Sequence, residues 1–117
     1  MVKLIAFLKR KPDMTMEEFK QRWVYEHTKL SSQLPGLKGY RINIALPEQE
    51  NDQPPIYDGT AELWWDSLEA MQASFASQIG KDAGADADLF ADVRIHLYTE
   101  EYNIVPGPGE PPVITRS

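Results

Sequence analysis

Apolar and polar residues between positions 15 and 34 recur with the period of a helix that is apolar on one face. Thr15 and Glu18 have the spacing of a capping box, which predicts that the helix begins at Thr15. The apolar face then contains Phe19, Trp23, His27, Leu30 and Leu34. Because an imidazole is buried only where its nitrogens find partners, His27 is the first candidate for a chemical role.

Four segments have the composition of β-strands, since they are rich in β-branched and aromatic residues and end at proline, glycine or charged residues. The predicted strands are residues 2–9, 39–46, 58–66 and a part of residues 90–105. Between the second and third strands, residues 47–57 are polar, acidic and rich in proline. This composition predicts a long loop.

A second helix is predicted between the third and fourth strands. Asp66 or Ser67 caps its start, and Gly80 is expected to cap its end. Residues 81–89 then form a small acidic segment with one short turn of helix. The predicted order is therefore strand, helix, strand, strand, helix, strand, which is the βαββαβ pattern of a ferredoxin-like sandwich.

The predicted fold is an α+β sandwich in which two helices cover one face of a four-stranded antiparallel sheet. Strand alternation assigns to the helix-covered face Val2, Leu4, Ala6, Leu8, Ala61, Leu63, Trp65, Val93, Ile95 and Leu97. The opposite face then carries Ile5, Phe7, Glu62, Trp64, Arg94, His96 and Tyr98. Tyr40 is not assigned to either face.

The sheet face that the helices leave open carries several aromatic residues, so we expect a second protein surface to cover it. Burying one large aromatic side chain removes about 150–250 Å² from water. We therefore expect a homodimer joined through the two sheet faces, in which each subunit keeps a pocket beside its central helix.

Composition narrows the class of function. The chain has 117 residues, enough for one domain over residues 1–105, followed by a proline- and glycine-rich tail over residues 106–117. The 12 basic and 18 acidic residues give a net charge of −6, which argues against nucleic acid or an anionic membrane as a partner. The sequence contains no cysteine, which excludes thiolate chemistry and fits a cytoplasmic location. The apolar run at the N-terminus is too short for a signal sequence or a spanning helix.

Several candidate residues allow two interpretations. His27 is either a core-edge histidine bonded to a backbone carbonyl or a pocket residue that transfers a proton. Glu62 is either paired with Arg41 or Arg94 or is a buried carboxylate with a raised pKa. Tyr40 either donates to a substrate oxygen or fills the barrel.

Other candidates are weaker. Trp64 is either a core residue or a platform for a ligand, and His96 is expected near the surface or the dimer contact. No spacing motif supports a metal site at His27 and Glu62, and no phosphate-binding loop occurs, so neither a metal nor a cofactor is expected.

Two segments together resemble the EthD family. They are KLIAFLKRKPDMTMEEFKQRWVYEHTKLSSQLPGLKGY, which contains the pattern F-x3-W-x3-H, and YDGTAELWWDSLEAMQASFAS. The resemblance implies a dimeric α+β barrel, in agreement with the order of elements. The family is named after ethyl tert-butyl ether degradation, in which its member accompanies a cytochrome P450 system in an undefined role. Related barrels isomerise muconolactones, cyclise polyketides, oxidise quinols without a cofactor or degrade haem, so the resemblance implies a fold better than a reaction.

The resemblance also implies site residues by position. The family's helix histidine corresponds to His27, the tyrosine of its G-Y pair to Tyr40, and its E-L-W segment to Glu62 and Trp64. We therefore expect His27, Tyr40 and Glu62 to be catalytic. The expected ligand contacts are Trp23, Trp64, Phe7 and Arg94. Relatives similar to methylmuconolactone isomerase look as if they use a cysteine and a further loop histidine, which this chain lacks, so the same isomerisation is not expected.

These expectations leave three hypotheses for the function. The first is a cofactor-free enzyme, such as an isomerase or cyclase, that uses His27 as acid or base on a small apolar substrate. The second is a non-catalytic binding or accessory protein of a catabolic system, with a hydrophobic ligand in the same pocket. The third is haem binding or degradation.

Overall fold

A computed structural model of the chain describes residues 1–108 and confirms the predicted α+β architecture. The strands are β1 (Val2–Arg10), β2 (Gly39–Ile44), β3 (Gly59–Trp65) and β4 (Ala91–Glu100). They form one antiparallel sheet in the order β2-β3-β1-β4, with the helices on one face. This is the predicted ferredoxin-like sandwich. Residues 109–117 of the predicted tail lie outside the described residues.

The central helix runs without a break over residues 16–31. It consists of α1 (Met16–Lys20), a π-helical segment (Gln21–His27) and α2 (Thr28–Ser31). Its predicted start is confirmed, because the Thr15 hydroxyl accepts from the Glu18 amide at 3.1 Å and the Glu18 carboxylate accepts from the Thr15 amide at 2.9 Å.

The π-helical segment changes which residues the central helix buries. Trp23 and His27 are buried as predicted, but the next buried residue is Ser31, whereas Leu30 is only half buried. A π-helix has wider turns than an α-helix, because its hydrogen bonds join residues five apart. Residues four apart therefore stay on one face, and a hydroxyl takes the place that the sequence assigned to a leucine.

Two helices follow β3, where the sequence predicted one helix and a short turn. They are α3 (Leu68–Ala76) and α4 (Gln78–Ala87). Ser77 separates them, because its hydroxyl donates to the Ser74 carbonyl at 2.5 Å and accepts from the Gly80 amide at 3.1 Å. The prediction that Gly80 caps the second helix is therefore wrong. Gly80 lies in the first turn of α4, and most of the acidic segment is helical.

The cross-strand register also corrects the predicted faces of β4. Arg94 and His96 lie directly opposite Leu8 and Ala6, which are buried in the core. Residues directly opposite each other share a face of the sheet. The helix-covered face therefore carries Arg94, His96 and Tyr98. The open face carries Val93, Ile95 and Leu97. The prediction was reversed because β4 is an edge strand that leaves its aliphatic residues exposed.

The hydrophobic core lies between the sheet and the helices. Phe19, Trp23, Trp65 and Phe90 are among its largest fully buried side chains. The rings of Phe19, Trp23 and Phe90 pack together with centroid distances of 5.3, 5.9 and 6.5 Å. This aromatic cluster holds the π-helical segment against the chain that enters β4.

Gly80 and Gly84 offer a matched test of how α3 and α4 pack. A methyl group at Gly80 would lie 2.4 Å from the Ser74 carbonyl oxygen, whereas the nearest atom to a methyl at Gly84 is Nη1 of Arg94 at 3.9 Å. We expect Gly80→Ala to lower the free energy of unfolding by about 1–3 kcal/mol, because the methyl group would meet the backbone of α3, which cannot move aside easily.

Gly84→Ala, one turn later in the same helix, should raise the free energy of unfolding by about 0.5–1 kcal/mol, because alanine loses less backbone entropy. Urea unfolding followed by circular dichroism measures both changes. Equal effects of the two substitutions would contradict this packing.

Candidate functional site

A cavity of about 100 Å³ lies between the helices and the covered face of the sheet. Strands β1 and β3 and the side chain of Trp23 supply most of its apolar wall. Helix α4 contributes only small residues at helical spacing, namely Gly80, Ala83, Gly84 and Ala87. The polar side chains in the lining are His27, Ser31, Tyr40, Arg94 and His96. The cavity therefore exists because α4 lacks the large side chains that would fill it.

His27 is held at this cavity by a carboxylate of α4. Its Nδ1 lies 2.8 Å from Oδ2 of Asp86, and its ring packs edge-on against Phe90 at 5.2 Å. Since an ionised carboxylate only accepts hydrogen bonds, Nδ1 carries the proton and Nε2 is left as an acceptor. No group within residues 1–108 hydrogen-bonds Nε2. His27 is thus not bonded to a backbone carbonyl, as its structural interpretation had assumed.

Asp86 is itself fixed by Arg22 of the central helix. The guanidinium binds both carboxylate oxygens, with Nη2 2.5 Å from Oδ1 and Nη1 3.1 Å from Oδ2, and lies over the Phe90 ring at 5.2 Å. The hydrogen bonds from Arg22 outweigh burial and lower the pKa of Asp86. Arg22, Asp86 and His27 therefore form one hydrogen-bonded chain that ends at the cavity.

The imidazole of His27 is neutral at pH 7. Burial lowers the pKa of His27 below its ordinary value, and the positive charges of Arg22 and Arg94 lower it further, against the opposing effect of Asp86. A neutral imidazole with Nδ1 bound to a carboxylate can accept a proton at Nε2. Asp86 then stabilises the imidazolium that forms.

Tyr40 and Ser31 form a hydroxyl pair in the same lining. Tyr40 lies opposite Leu63, so it faces the helices, and its hydroxyl is 2.8 Å from that of Ser31. Burial raises the pKa of Tyr40, which keeps the phenol protonated. Because Ser31 follows His27 by four residues on the central helix, the pair and the imidazole belong to one wall of the cavity.

Arg94 and His96 line the partly exposed side of the cavity. Arg94 donates to Asp88 at 2.9 Å, and the ring of His96 lies 6.0 Å from that of Phe75. Loss of water around the ring, together with the charge of Arg94, lowers the pKa of His96. Both side chains reach the cavity because they lie on the covered face of the sheet, whereas the aliphatic pattern of β4 predicted them on the open face.

The structure divides the predicted site residues between two faces of the sheet. The cavity brings together His27, Tyr40, Trp23 and Arg94. Strand alternation places on the open face Glu62, Trp64 and Phe7. The functional roles of all these residues remain predictions, but the two groups lie on opposite faces of the sheet and do not line one cavity.

Glu62 is paired on the open face, and its pKa is not raised. It accepts hydrogen bonds from Lys3 and from Asn43, the latter at 2.8 Å. Burial alone would raise the pKa of Glu62, but these hydrogen bonds and the charges of Lys3 and Arg41 outweigh it, so that the pKa is lowered. The predicted pairing with Arg94 is wrong because Arg94 lies on the other face.

Trp64 and Phe7 pack against neighbours on the open face. The ammonium group of Lys3 lies 4.6 Å from the centre of the Trp64 ring, and the indole N–H donates to Glu101 at 3.4 Å. The ring of Phe7 lies 5.3 Å from that of Tyr57 in the loop before β3. Neither residue reaches the cavity beside His27.

Asp86 is the site residue that the sequence reasoning missed. It lies in the acidic stretch that was assigned a single helical turn. The signal was present in the small residues of α4, which recur at the spacing of one helix face. Glycine and alanine mark such a face weakly because they contribute little apolar area.

Residues 1–108 contain neither a cluster of metal-binding side chains nor a membrane-spanning helix. No group of three or more histidine, aspartate or glutamate side chains there is close enough together to hold a metal ion. None of the helices in that part of the chain has the length and apolarity needed to cross a membrane.

The lowered pKa of His27 predicts that acid destabilises the protein. An unfolded histidine titrates near pH 6.5, so between that pH and the lower folded pKa the unfolded state binds more protons. The free energy of unfolding therefore falls as the pH decreases through this window. We expect His27→Gln to lose part of this dependence between about pH 7 and pH 5, with the contribution of His96 remaining. Urea unfolding at several pH values measures it, and an unchanged slope in the variant would contradict a lowered pKa.

Comparison with known proteins agrees with the predicted family and fold. The family model described as the EthD domain matches residues 11–94. A search of curated proteins found no match. A solved EthD-family protein from Bacillus halodurans is 25% identical, with a TM-score of 0.74 over 86% of this chain and 98% of that chain.

Other solved structures share the fold at lower identity. A dimeric ferredoxin-like protein of unknown function from Thermobifida fusca is 18% identical, with a TM-score of 0.65 over 84% of this chain and 88% of that chain. SnoaB, a cofactor-independent oxygenase from Streptomyces nogalater solved as a mutant, is 13% identical, with a TM-score of 0.63 over 91% of this chain and 97% of that chain. Because the family model spans most of the sequence, including the central helix and the strands β2 and β3, the chain belongs to the EthD family.

Proposed function

We propose that the protein binds a small, mostly apolar molecule in the cavity beside the central helix, and that His27 exchanges a proton with it. One observation carries the proposal. His27 lines an apolar cavity with Nδ1 bound to Asp86, while Nε2 has no partner within the described part of the chain. Among the described residues, Oγ of Ser74 is the buried side-chain atom that lacks a hydrogen-bond partner, so Nε2 of His27 is not sealed in the core. A basic nitrogen that is oriented through a carboxylate and remains accessible can accept a proton from a ligand.

The other lining groups suit proton transfer without a cofactor. With His27 as the base, the hydroxyl pair of Tyr40 and Ser31 can donate to a substrate oxygen that gains negative charge. Trp23 and the apolar residues of the sheet would surround the apolar body of the ligand. SnoaB is described as a cofactor-independent oxygenase, which supports cofactor-free catalysis on this fold but identifies no reaction here.

The volume of the cavity limits the ligand. About 100 Å³ is below the 150 Å³ of an engineered cavity that binds benzene, and far below the roughly 300–1,000 Å³ of sites for drug-sized ligands. The buried part of the ligand is therefore one small ring or a branched alkyl group. Haem is several times larger, so we do not propose haem binding in this cavity.

Substitution of His27 tests the proposed chemistry. We would screen small cyclic ketones, lactones and acids by ligand-observed NMR in D₂O, which reports binding and exchange of carbon-bound protons together. A bound compound should exchange in the presence of the wild-type protein. In a folded His27→Gln variant the exchange rate should fall by about 100-fold or more, because the base is lost.

Asp86→Asn should also slow exchange, by about tenfold or more, since an amide that donates to Nδ1 leaves the proton on Nε2. Asp82→Asn is the matched control, because Asp82 lies one turn earlier in α4, is exposed and bonds only to Gln78 among the described residues. Binding without exchange would identify a non-catalytic binding or accessory protein of a catabolic system. A failure of every compound to bind would refute the proposal.

We also propose that the protein is a cytoplasmic homodimer joined through the open sheet faces. Ile95 and Leu97 of β4 are 46% and 51% exposed there, next to the half-buried Ile5 and Phe7. An exposed aliphatic and aromatic surface of this kind is typical of an interface. The relative from Thermobifida fusca is described as dimeric, which supports the same arrangement in this chain. Glu62 and Trp64 would then belong to the interface.

Light scattering at micromolar concentration tests the dimer. The wild-type protein should have the mass of two chains, and the double variant Ile95→Asp, Leu97→Asp should have the mass of one, because two charges would be buried without partners. Leu89→Asp is the control, since Leu89 is 70% exposed and lies between α4 and β4, away from the open face. A monomeric wild-type protein would contradict the proposal.

A further inference from the structure

The lining of the cavity includes a cation and no carboxylate, although the chain is acidic. The sequence has a net charge of −6, yet the described residues that line the cavity include no aspartate or glutamate. The pKa values of His27 and His96 are both lowered, so these side chains are neutral at pH 7. Arg94 is therefore the one fixed charge in the described lining.

Arg94 is placed so that a ligand can reach its donors. Its guanidinium extends from β4 to α4, where Nη1 lies 3.9 Å from the position of a methyl group on Gly84. Within residues 1–108 its only hydrogen-bond partner is Asp88, whose side chain is 70% exposed. An ion pair with an exposed carboxylate contributes little, so a ligand can replace it at low cost. The guanidinium has five N–H donors and binds carboxylates in a planar, two-point geometry.

We propose that the ligand of this cavity is a small monocarboxylate, whose anionic group binds Arg94 at the opening while its apolar body fills the space towards His27. This inference rests on the proposed ligand-binding function and specifies the chemical class. The carboxylate of the ligand would replace that of Asp88 on the guanidinium.

An anion beside Arg94 also affects the proton transfer proposed for His27. The groups that shift the pKa of the imidazole are Asp86 from α4, Arg22 from its own helix and Arg94 from β4. His96 from β4 and Tyr40 from β2 line the same cavity. Among them Arg94 opposes protonation from within the cavity. A bound carboxylate neutralises that charge, so His27 accepts a proton more readily with the ligand present than without it.

Two pairs of compounds test the effect of the ligand's charge, because the members of each pair have nearly the same size. They are 3-methylbutanoate with 3-methylbutanamide, and benzoate with benzamide. By calorimetry at neutral pH, we expect the better-fitting acid to bind about tenfold or more tightly than its amide. The reason is that only the acid accepts a hydrogen bond from Arg94 between two charged groups. By nitrogen NMR of the imidazole, the pKa of His27 should be higher in the complex with the acid than in that with the amide.

Variants assign the preference to Arg94. Arg94→Gln should bind acid and amide equally, and Arg94→Lys should keep part of the preference because the charge is retained. Lys38→Gln is the control, since it removes an exposed cation that pairs with Asp66 and does not line the cavity. Circular dichroism confirms that each variant is folded.

Three results would overturn the inference. They are an acid that binds no better than its amide, a preference that survives in Arg94→Gln, and a preference that is lost equally in Lys38→Gln. Binding of an amide in any of these cases would leave the proposed function intact, because the cavity would still take a small neutral molecule. If none of the four compounds binds, the inference fails, and the wider NMR screen decides whether the proposed function fails with it.

Discussion

The contact between His27 and Asp86 joins two of the helices that enclose the cavity together with the sheet. It connects the central helix to α4, and Arg22 strengthens it by binding the same carboxylate from one turn earlier. A carboxylate near a helix C-terminus is opposed by the helix dipole, by about 0.3–1 kcal/mol. Asp86 occupies such a position in α4, and Arg22 compensates for it. The imidazole is thereby oriented through one nitrogen while the other stays available.

The cavity depends on two departures from ordinary helix packing. The π-helical segment brings Trp23, His27 and Ser31 onto one face, and α4 lines the cavity beside that face with glycine and alanine. A standard helix with leucine on its inner face would close the space and gain apolar burial. Local features that give up stability in this way are typical of functional sites.

The sheet separates two kinds of surface. Its covered face carries the cavity and the cation Arg94, whereas its open face carries the paired ions of Lys3 and Glu62 among exposed aliphatic residues. Residues adjacent in β3 or β4 therefore serve different surfaces, because successive side chains point in opposite directions. For this reason a site that combines His27 with Glu62 does not form, because Glu62 lies on the open face of β3 and His27 lies against the covered face.

The sequence by itself determined the elements whose apolar residues follow a regular period. The capping box at Thr15, the central helix with its buried His27 and the succession of the four strands along the chain were predicted correctly, and the resemblance of two segments identified the family. These features depend on local propensity and on large side chains, which a pattern records directly.

The tertiary structure alone decided the face of β4, the helical state of α4 and the partner of His27. An edge strand leaves aliphatic residues exposed, so the alternation in β4 does not show which side is inside. The inner face of α4 is small, so its periodicity is weak. Asp86 lies 59 positions from His27 in the chain, and only the packing of two helices brings their side chains together.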